Sequence, residues 1–173
     1  MTISPELQFE VERFLAHEAD LLDSERFREW FELLTEDVVY WIPGNQVGGC
    51  PDERLSLVYE KHFNLETRVW RLTESGLRNF SNEPAARTMR LVANVLVTEP
   101  SGAKPGSDDL AVTAKVLLAV SRSAGYRALE PHSVHPMTCH YELRRTDDGF
   151  RIASKRVDLL EVDNAVGPMT FIL

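Results

Sequence analysis

Histidine, cysteine and carboxylate side chains are the raw material for metal or acid–base chemistry, and this chain has five His and two Cys among its 173 residues. His132, His135 and His140 form the one sequence-local cluster, with His17 and His62 far from it. If a strand begins near Pro136, His140 falls on its polar side and His135 on the opposite side, so the two diverge from any common ion. A paired C-x-H and C-x-x-H pattern for a mixed-ligand iron–sulfur cluster is missing, as is a recognisable two-His, one-carboxylate set. The expectation is a chain with no metal site, no cofactor-binding residues and no catalytic residues of its own. Cys139 lies on the apolar side of a strand and reads as an inert core thiol. Cys50, beside Gly48-Gly49 and Pro51, has no evident base. There is no G-x-S-x-G elbow and no glycine-rich phosphate loop.

Asp37, Tyr40 and Trp41 could line a pocket, with Asp37 a general base if burial raised its pKa. The competing reading has Asp37 ending a helix and Tyr40-Trp41 filling a core or an interface, and the sequence leaves both open. Among the cations, Arg68 and Arg71 flank Trp70, and Arg87 and Arg90 open a long strand. Arg156 shares the parity of Phe150, Ile152 and Leu160, so it is expected to point inward, buried and paired, because the planar guanidinium suits a desolvated carboxylate partner.

The elements that must position these residues follow from periodicity. Leu7, Val11, Phe14, Leu15 and Leu22 repeat at helical spacing. Asp23 and Ser24 are N-cap types before a short second helix carrying Phe27, Trp30, Phe31 and Leu34, which Thr35-Glu36-Asp37 would end. Val38–Ile42 reads as a strand stopped by Pro43-Gly44. Leu55, Tyr59, Val69 and Leu72 fit a third helix. After Pro84 the pattern turns to strands, over 87–98, 110–122, 136–146 and 150–162, with Asp148-Gly149 as a hairpin turn between the last two. Helices first and antiparallel strands second predict an α+β domain, with helices packed on one face of a curved sheet. The 87–98 and 110–122 strands are apolar on both faces, which points to a pocket or a subunit interface. The terminal Phe171-Ile172-Leu173 is too apolar to be left in water and is expected to dock.

Composition narrows the class. Nineteen Lys and Arg against 27 Asp and Glu give a net charge of −8, which disfavours nucleic acid and anionic membrane as partners. The 43% hydrophobic and 27% charged content is that of a globular chain, and the length predicts one domain over residues 1–173. The acidic N-terminus and the scattered cysteines predict a cytoplasmic protein with no leader and no membrane span.

Several segments carry a more specific likeness. Glu18-Ala19-Asp20-Leu21-Leu22-Asp23, Phe27, Trp30, Leu33-Leu34, Glu36-Asp37-Val38, Tyr40-Trp41 and Pro43 resemble the N-terminal signature of the small (β) subunits of Rieske-type aromatic-ring-hydroxylating dioxygenases. Arg68-Val69-Trp70-Arg71-Leu72, the strand Arg87-Thr88 to Leu91-Val92-Ala93-Asn94-Val95, Lys155-Arg156-Val157-Asp158-Leu159 and the terminal Phe171-Ile172-Leu173 extend it over nearly the whole chain. The resemblance implies a cone-shaped α+β fold similar to nuclear transport factor 2, scytalone dehydratase and SnoaL-like proteins. It also implies a noncatalytic role in aromatic catabolism: a homotrimer beneath three α subunits that hold the Rieske cluster and the mononuclear iron. Trp41, Arg68, Trp70, Arg71, Arg87, Arg156 and Phe171 are then candidates for subunit contacts or buried ion pairs. Gly44-Asn45 and the 130–137 segment depart from the family pattern, at loops where subunit contacts are made. The rival readings on the same cone are a stand-alone dehydratase or isomerase using Asp37 and Tyr40, and a small-molecule binding protein.

Overall fold

The computed structural model describes residues 3–44, 51, 55–74, 86–100, 108–121, 132–162 and 172–173. Helix α1 (Pro5–Asp23) starts where Ser4 Oγ accepts the Leu7 N–H at 3.2 Å and Pro5 supplies a ready-made first turn. Val11, Leu15, Glu18, Ala19, Leu21 and Leu22 form its buried face. The helix is closed by Glu25, at φ 55°, with the Ser24 N–H on Asp20 O at 2.9 Å and the Arg26 N–H on Leu21 O at 2.8 Å. Asp23-Ser24 therefore ends α1, contrary to the expectation that it caps the next helix. Helix α2 (Phe27–Glu32) follows Arg26 with no side-chain cap.

Strand β1 (Leu34–Pro43) absorbs Thr35-Glu36-Asp37, which the sequence assigned to a helix end. Strand β2 (Ser56–Lys61) corrects a larger expectation, since helix α3 (His62–Thr73) begins only at His62 and not at Leu55. Within β2 the exposed Leu57 and Tyr59 lie two apart, a strand period, and the segment pairs antiparallel with β1 from Val39↔Lys61 to Pro43↔Ser56. Strands β3 (Arg87–Thr98), β4 (Leu110–Ser121), β5 (His132–Thr146) and β6 (Gly149–Leu159) complete one six-stranded sheet ordered β2-β1-β6-β5-β4-β3. β5 starts at His132, ahead of the expected Pro136, and β6 stops at Leu159. Only the β1–β6 pair is parallel.

The helices cover one face of this sheet, as the α+β expectation requires. Val112, Ala114, Val116, Leu118 and Val120 of β4 and Met137, Cys139, Tyr141 and Leu143 of β5 point into the core with the buried residues of α1 and Trp30. Leu91, Leu117 and Val134 lie on the opposite face and remain exposed. At the β5–β6 hairpin the two turn residues are Asp147 and Asp148, and Gly149 takes the positive φ of 123° as the first residue of β6. The edge strand β3 is bent at Asn94, φ 51°, where its register with β4 shifts, and Gln8 Nε2 of α1 donates to the freed Val95 O at 2.9 Å.

Candidate functional site

The irregularity in β6 decides which of its side chains face the core. Between Glu142↔Ser154 and Leu143↔Ile152 the strand carries an extra residue, Ala153. Phe150 and Ile152 point inward before the bulge, and Lys155, Val157 and Leu159 point inward after it. Arg156 is thereby turned to the outer face, so the expectation that it is buried is corrected. It is half-buried, its guanidinium donates twice to Asp158 at 2.8 and 2.9 Å, and it stacks on the Trp41 ring at 5.0 Å.

The buried cation is instead Lys155. Its Nζ donates to Glu18 Oε1 at 2.8 Å, and each residue is only 3% exposed. Trp30 Nε1 donates to the same oxygen at 3.2 Å and the Tyr141 hydroxyl donates to Oε2 at 3.0 Å. One carboxylate thus joins α1, α2, β5 and β6. Burial, with the Glu18 charge next in weight, holds the Tyr141 phenol well above its usual range. The neighbouring Cys139 thiol is pushed up to about 11, chiefly by burial. Each buried polar atom of this group has an internal partner, so it acts as a structural tie between layers.

Asp37 and Tyr40 do not share a pocket. Asp37 is exposed and accepts from Arg144 Nη1 and Nη2 at 3.0 Å each, and that pairing lowers its carboxyl to about 2. A general base needs the opposite shift, so this half of the acid–base reading is overturned. Tyr40 is buried in the core, and desolvation drives its hydroxyl strongly upward. That hydroxyl donates to the Leu173 main-chain oxygen at 2.8 Å and accepts the Leu173 N–H at 3.1 Å. Arg90, on the inner face of β3, bonds the Ile172 oxygen through Nη2, Asp23 Oδ1 through Nη1, and Asp23 Oδ2 through its main-chain N–H at 2.7 Å. Ile172 and Leu173 are themselves buried in the core. The expected docking of the chain end is therefore onto its own interior, for the two residues described. Phe171 lies outside the described residues, as do Cys50 and residues 130 and 131 of the 130–137 departure, whose remaining residues open β5.

On the outer sheet face, β-register aligns Tyr59, Trp41, Arg156, His140 and Thr113 across five strands. Trp41 is buried there, and its Nε1 donates to Ser56 Oγ at 2.9 Å. His140 bridges Asp158 Oδ2, at 3.1 Å, and Thr113 Oγ1, at 3.3 Å. Lys115 donates to Thr138 Oγ1 at 2.8 Å in the next row. Beyond it the face is apolar, with Leu91 opposite Leu117 and Met89 opposite Ala119. Arg87 is exposed at the start of β3. On α3, Arg68 pairs with Glu60 through Nε at 2.8 Å and Nη2 at 2.5 Å. Trp70 and Phe63 on the same helix are 44% and 75% exposed, about two helical turns apart, and Arg71 is exposed beside them. His135 shares the inward parity of Met137 whereas His140 faces outward, and His62 packs on Phe31 at 4.6 Å. Among the described residues no three His, Cys, Asp or Glu side chains converge as metal ligands.

The family model described as the ring hydroxylating beta subunit matches residues 17–164. The chain belongs to that β-subunit family. Relatives include the small oxygenase component of the p-cumate 2,3-dioxygenase system of Pseudomonas putida, 32% identical over 95% of this chain and 86% of that protein. The β subunit of 3-phenylpropionate/cinnamic acid dioxygenase from Photorhabdus laumondii is 39% identical over 104 residues, 56% of this chain and 57% of that protein. In alignments of this second kind the chain spans about half the length of the curated relatives it matches. A solved naphthalene 1,2-dioxygenase chain superposes with a TM-score of 0.81 at 20% identity, over 99% of this chain and 88% of that one. The fold is thus the α+β arrangement expected from the order of elements, helices on one face of a sheet, and it is shared with that dioxygenase chain.

The buried Glu18 and Lys155 of this β-subunit fold escaped the sequence reading. Glu18 occupies a buried position of the α1 face, at i+3 from Leu15, which is the signal that marks it. Lys155 could not be found by strand parity, because the bulge at Ala153 reverses that parity.

Proposed function

We propose that this chain is the noncatalytic β subunit of an aromatic-ring-hydroxylating dioxygenase, a scaffold on which iron-containing α subunits are assembled for aromatic catabolism. The carrying observation is the family match over residues 17–164. The interior supports the same reading: Glu18 is saturated by three donors and the Tyr40 hydroxyl is taken up by the chain end, which leaves neither group to serve a substrate.

In this reading one domain spans the whole chain and works in the cytoplasm. No helix among the described residues is long and apolar enough to cross a membrane. The Rieske two-iron cluster and the mononuclear iron belong to the α subunit. Among the described residues no set of donors fits either centre. The chain self-associates as a trimer within an α3β3 hexamer. Trp41 with Arg156 on the sheet, Trp70, Arg68 and Arg71 on α3, Arg87 at the β3 edge, and Phe171 supply the subunit contacts. Exposed apolar side chains beside engaged cations are what such contacts bury.

Co-expression with a candidate dioxygenase α subunit, followed by affinity purification and light scattering, tests this directly. A stoichiometric complex with three copies of each chain is expected, with turnover of an aromatic substrate only when α and its electron carriers are present. A chain that stays monomeric and never co-purifies with α, or that turns over substrate unaided, sinks the proposal.

A further inference from the structure

We propose that the seat formed by Tyr40 and by Arg90, which Asp23 holds, is a peptide-binding site for an apolar chain segment, filled here by the chain's own Ile172-Leu173 and able to accept the same sequence supplied in trans. The contacts have the form of ligand recognition. Residues 172 and 173 belong to no helix or strand, so no ladder of main-chain pairing holds them. Buried side chains read their main chain instead: the Tyr40 hydroxyl takes both polar atoms of Leu173, and Arg90 Nη2 takes the Ile172 oxygen.

The readers are set independently of what they read. Arg90 is held by two bonds to the Asp23 carboxylate and by Thr88 Oγ1 at 3.3 Å, and its side chain is 5% exposed. Tyr40 is fixed in β1 between β2 and β6, opposite Glu60 and Lys155. Both side chains of the seated pair lie within the apolar core, so the site selects for apolar residues while its polar contacts are indifferent to side-chain identity. The inference rests on this seat alone and is independent of the dioxygenase reading.

The test uses the full-length chain carrying Ile172→Ser and Leu173→Ser, and a synthetic peptide with the sequence of residues 168–173. The double variant is expected to melt below the parent chain, and the peptide to raise its midpoint with the logarithm of its concentration once that exceeds Kd. The parent, whose seat is filled, should not respond. Adding Tyr40→Phe removes both hydrogen bonds to Leu173 and should weaken peptide binding by about tenfold or more. A peptide with both apolar residues replaced by Ser should not bind. Where the double variant does not fold alone, the readout is refolding, with folded protein recovered only when the peptide is present. On the parent chain, hydrogen exchange at the Leu173 amide should be slow and should quicken in Tyr40→Phe. No midpoint shift or refolding with millimolar peptide, equal binding of the Ser peptide, or Leu173 exchange at the rate of a free peptide would each overturn the proposal.

Discussion

At the level of single residues, the buried Glu18 and Lys155 behave as a unit whose halves cannot be removed separately. Lys155→Met would leave an ionised carboxylate in the core and is expected to cost about 3–5 kcal/mol in urea unfolding. Adding Glu18→Gln removes that charge while its amide oxygen still accepts from Trp30 Nε1 and its amide N–H donates to the Tyr141 hydroxyl, so most of the loss should be recovered. Three further residues set opposite pH limits. Asp37 is paired and titrates at about 2 in the fold against 3.8 unpaired, so its contribution is present above pH 3.8 and disappears as pH falls through about 2. The side chain is 64% exposed, which screens the pair, and Asp37→Asn should cost less than about 1 kcal/mol and flatten the acid limb of the stability curve between those two pH values. Tyr40 and Tyr141 are shifted upward by burial, so the fold holds their protons after the unfolded chain has released them. Stability is therefore full below pH 10 and declines above it. Absorbance at the phenolate band should show both side chains ionising only as the protein unfolds.

Among the elements, irregular backbone separates what could be foreseen from what could not. α1, β4 and the β5–β6 hairpin were legible because helical spacing, alternation and a glycine speak locally. The hairpin glycine can be tested: Gly149→Ala forces a side chain into φ 123° and should cost about 1–3 kcal/mol, although nothing lies within 4 Å of the new Cβ. β2 was misread because Leu55, Tyr59 and Val69 also satisfy a helical count, and only pairing with β1 resolves six residues as a strand. Arg156 was placed on the wrong face by a single inserted residue in β6, which no spacing rule can see. The same shift concealed Lys155, so the central tie of the core was illegible although Glu18 lay in plain helical register. For the candidate site, the residue types of Tyr40, Trp41 and Arg156 were noticed, but what each touches required the fold.

For the molecule as a whole, the sheet has one covered face and one that carries Trp41 and Arg156 beside the exposed Leu91, Leu117 and Val134. If that face is buried in an assembly, Leu117→Lys should leave the isolated chain within about 0.5 kcal/mol of its stability. The same substitution should lower the yield of the complex with α on gel filtration. A different consequence lies in the parallel pairing of β1 with β6, residues more than a hundred positions apart that share the middle of the sheet. On the ribosome β1 emerges early with one long edge unfilled, and its neighbour on that side is among the last segments to be made. Until then the nascent chain carries a sticky strand and an unpaired Glu18, which makes vectorial synthesis the hazardous stage of this protein's life and holdase chaperones its natural early company.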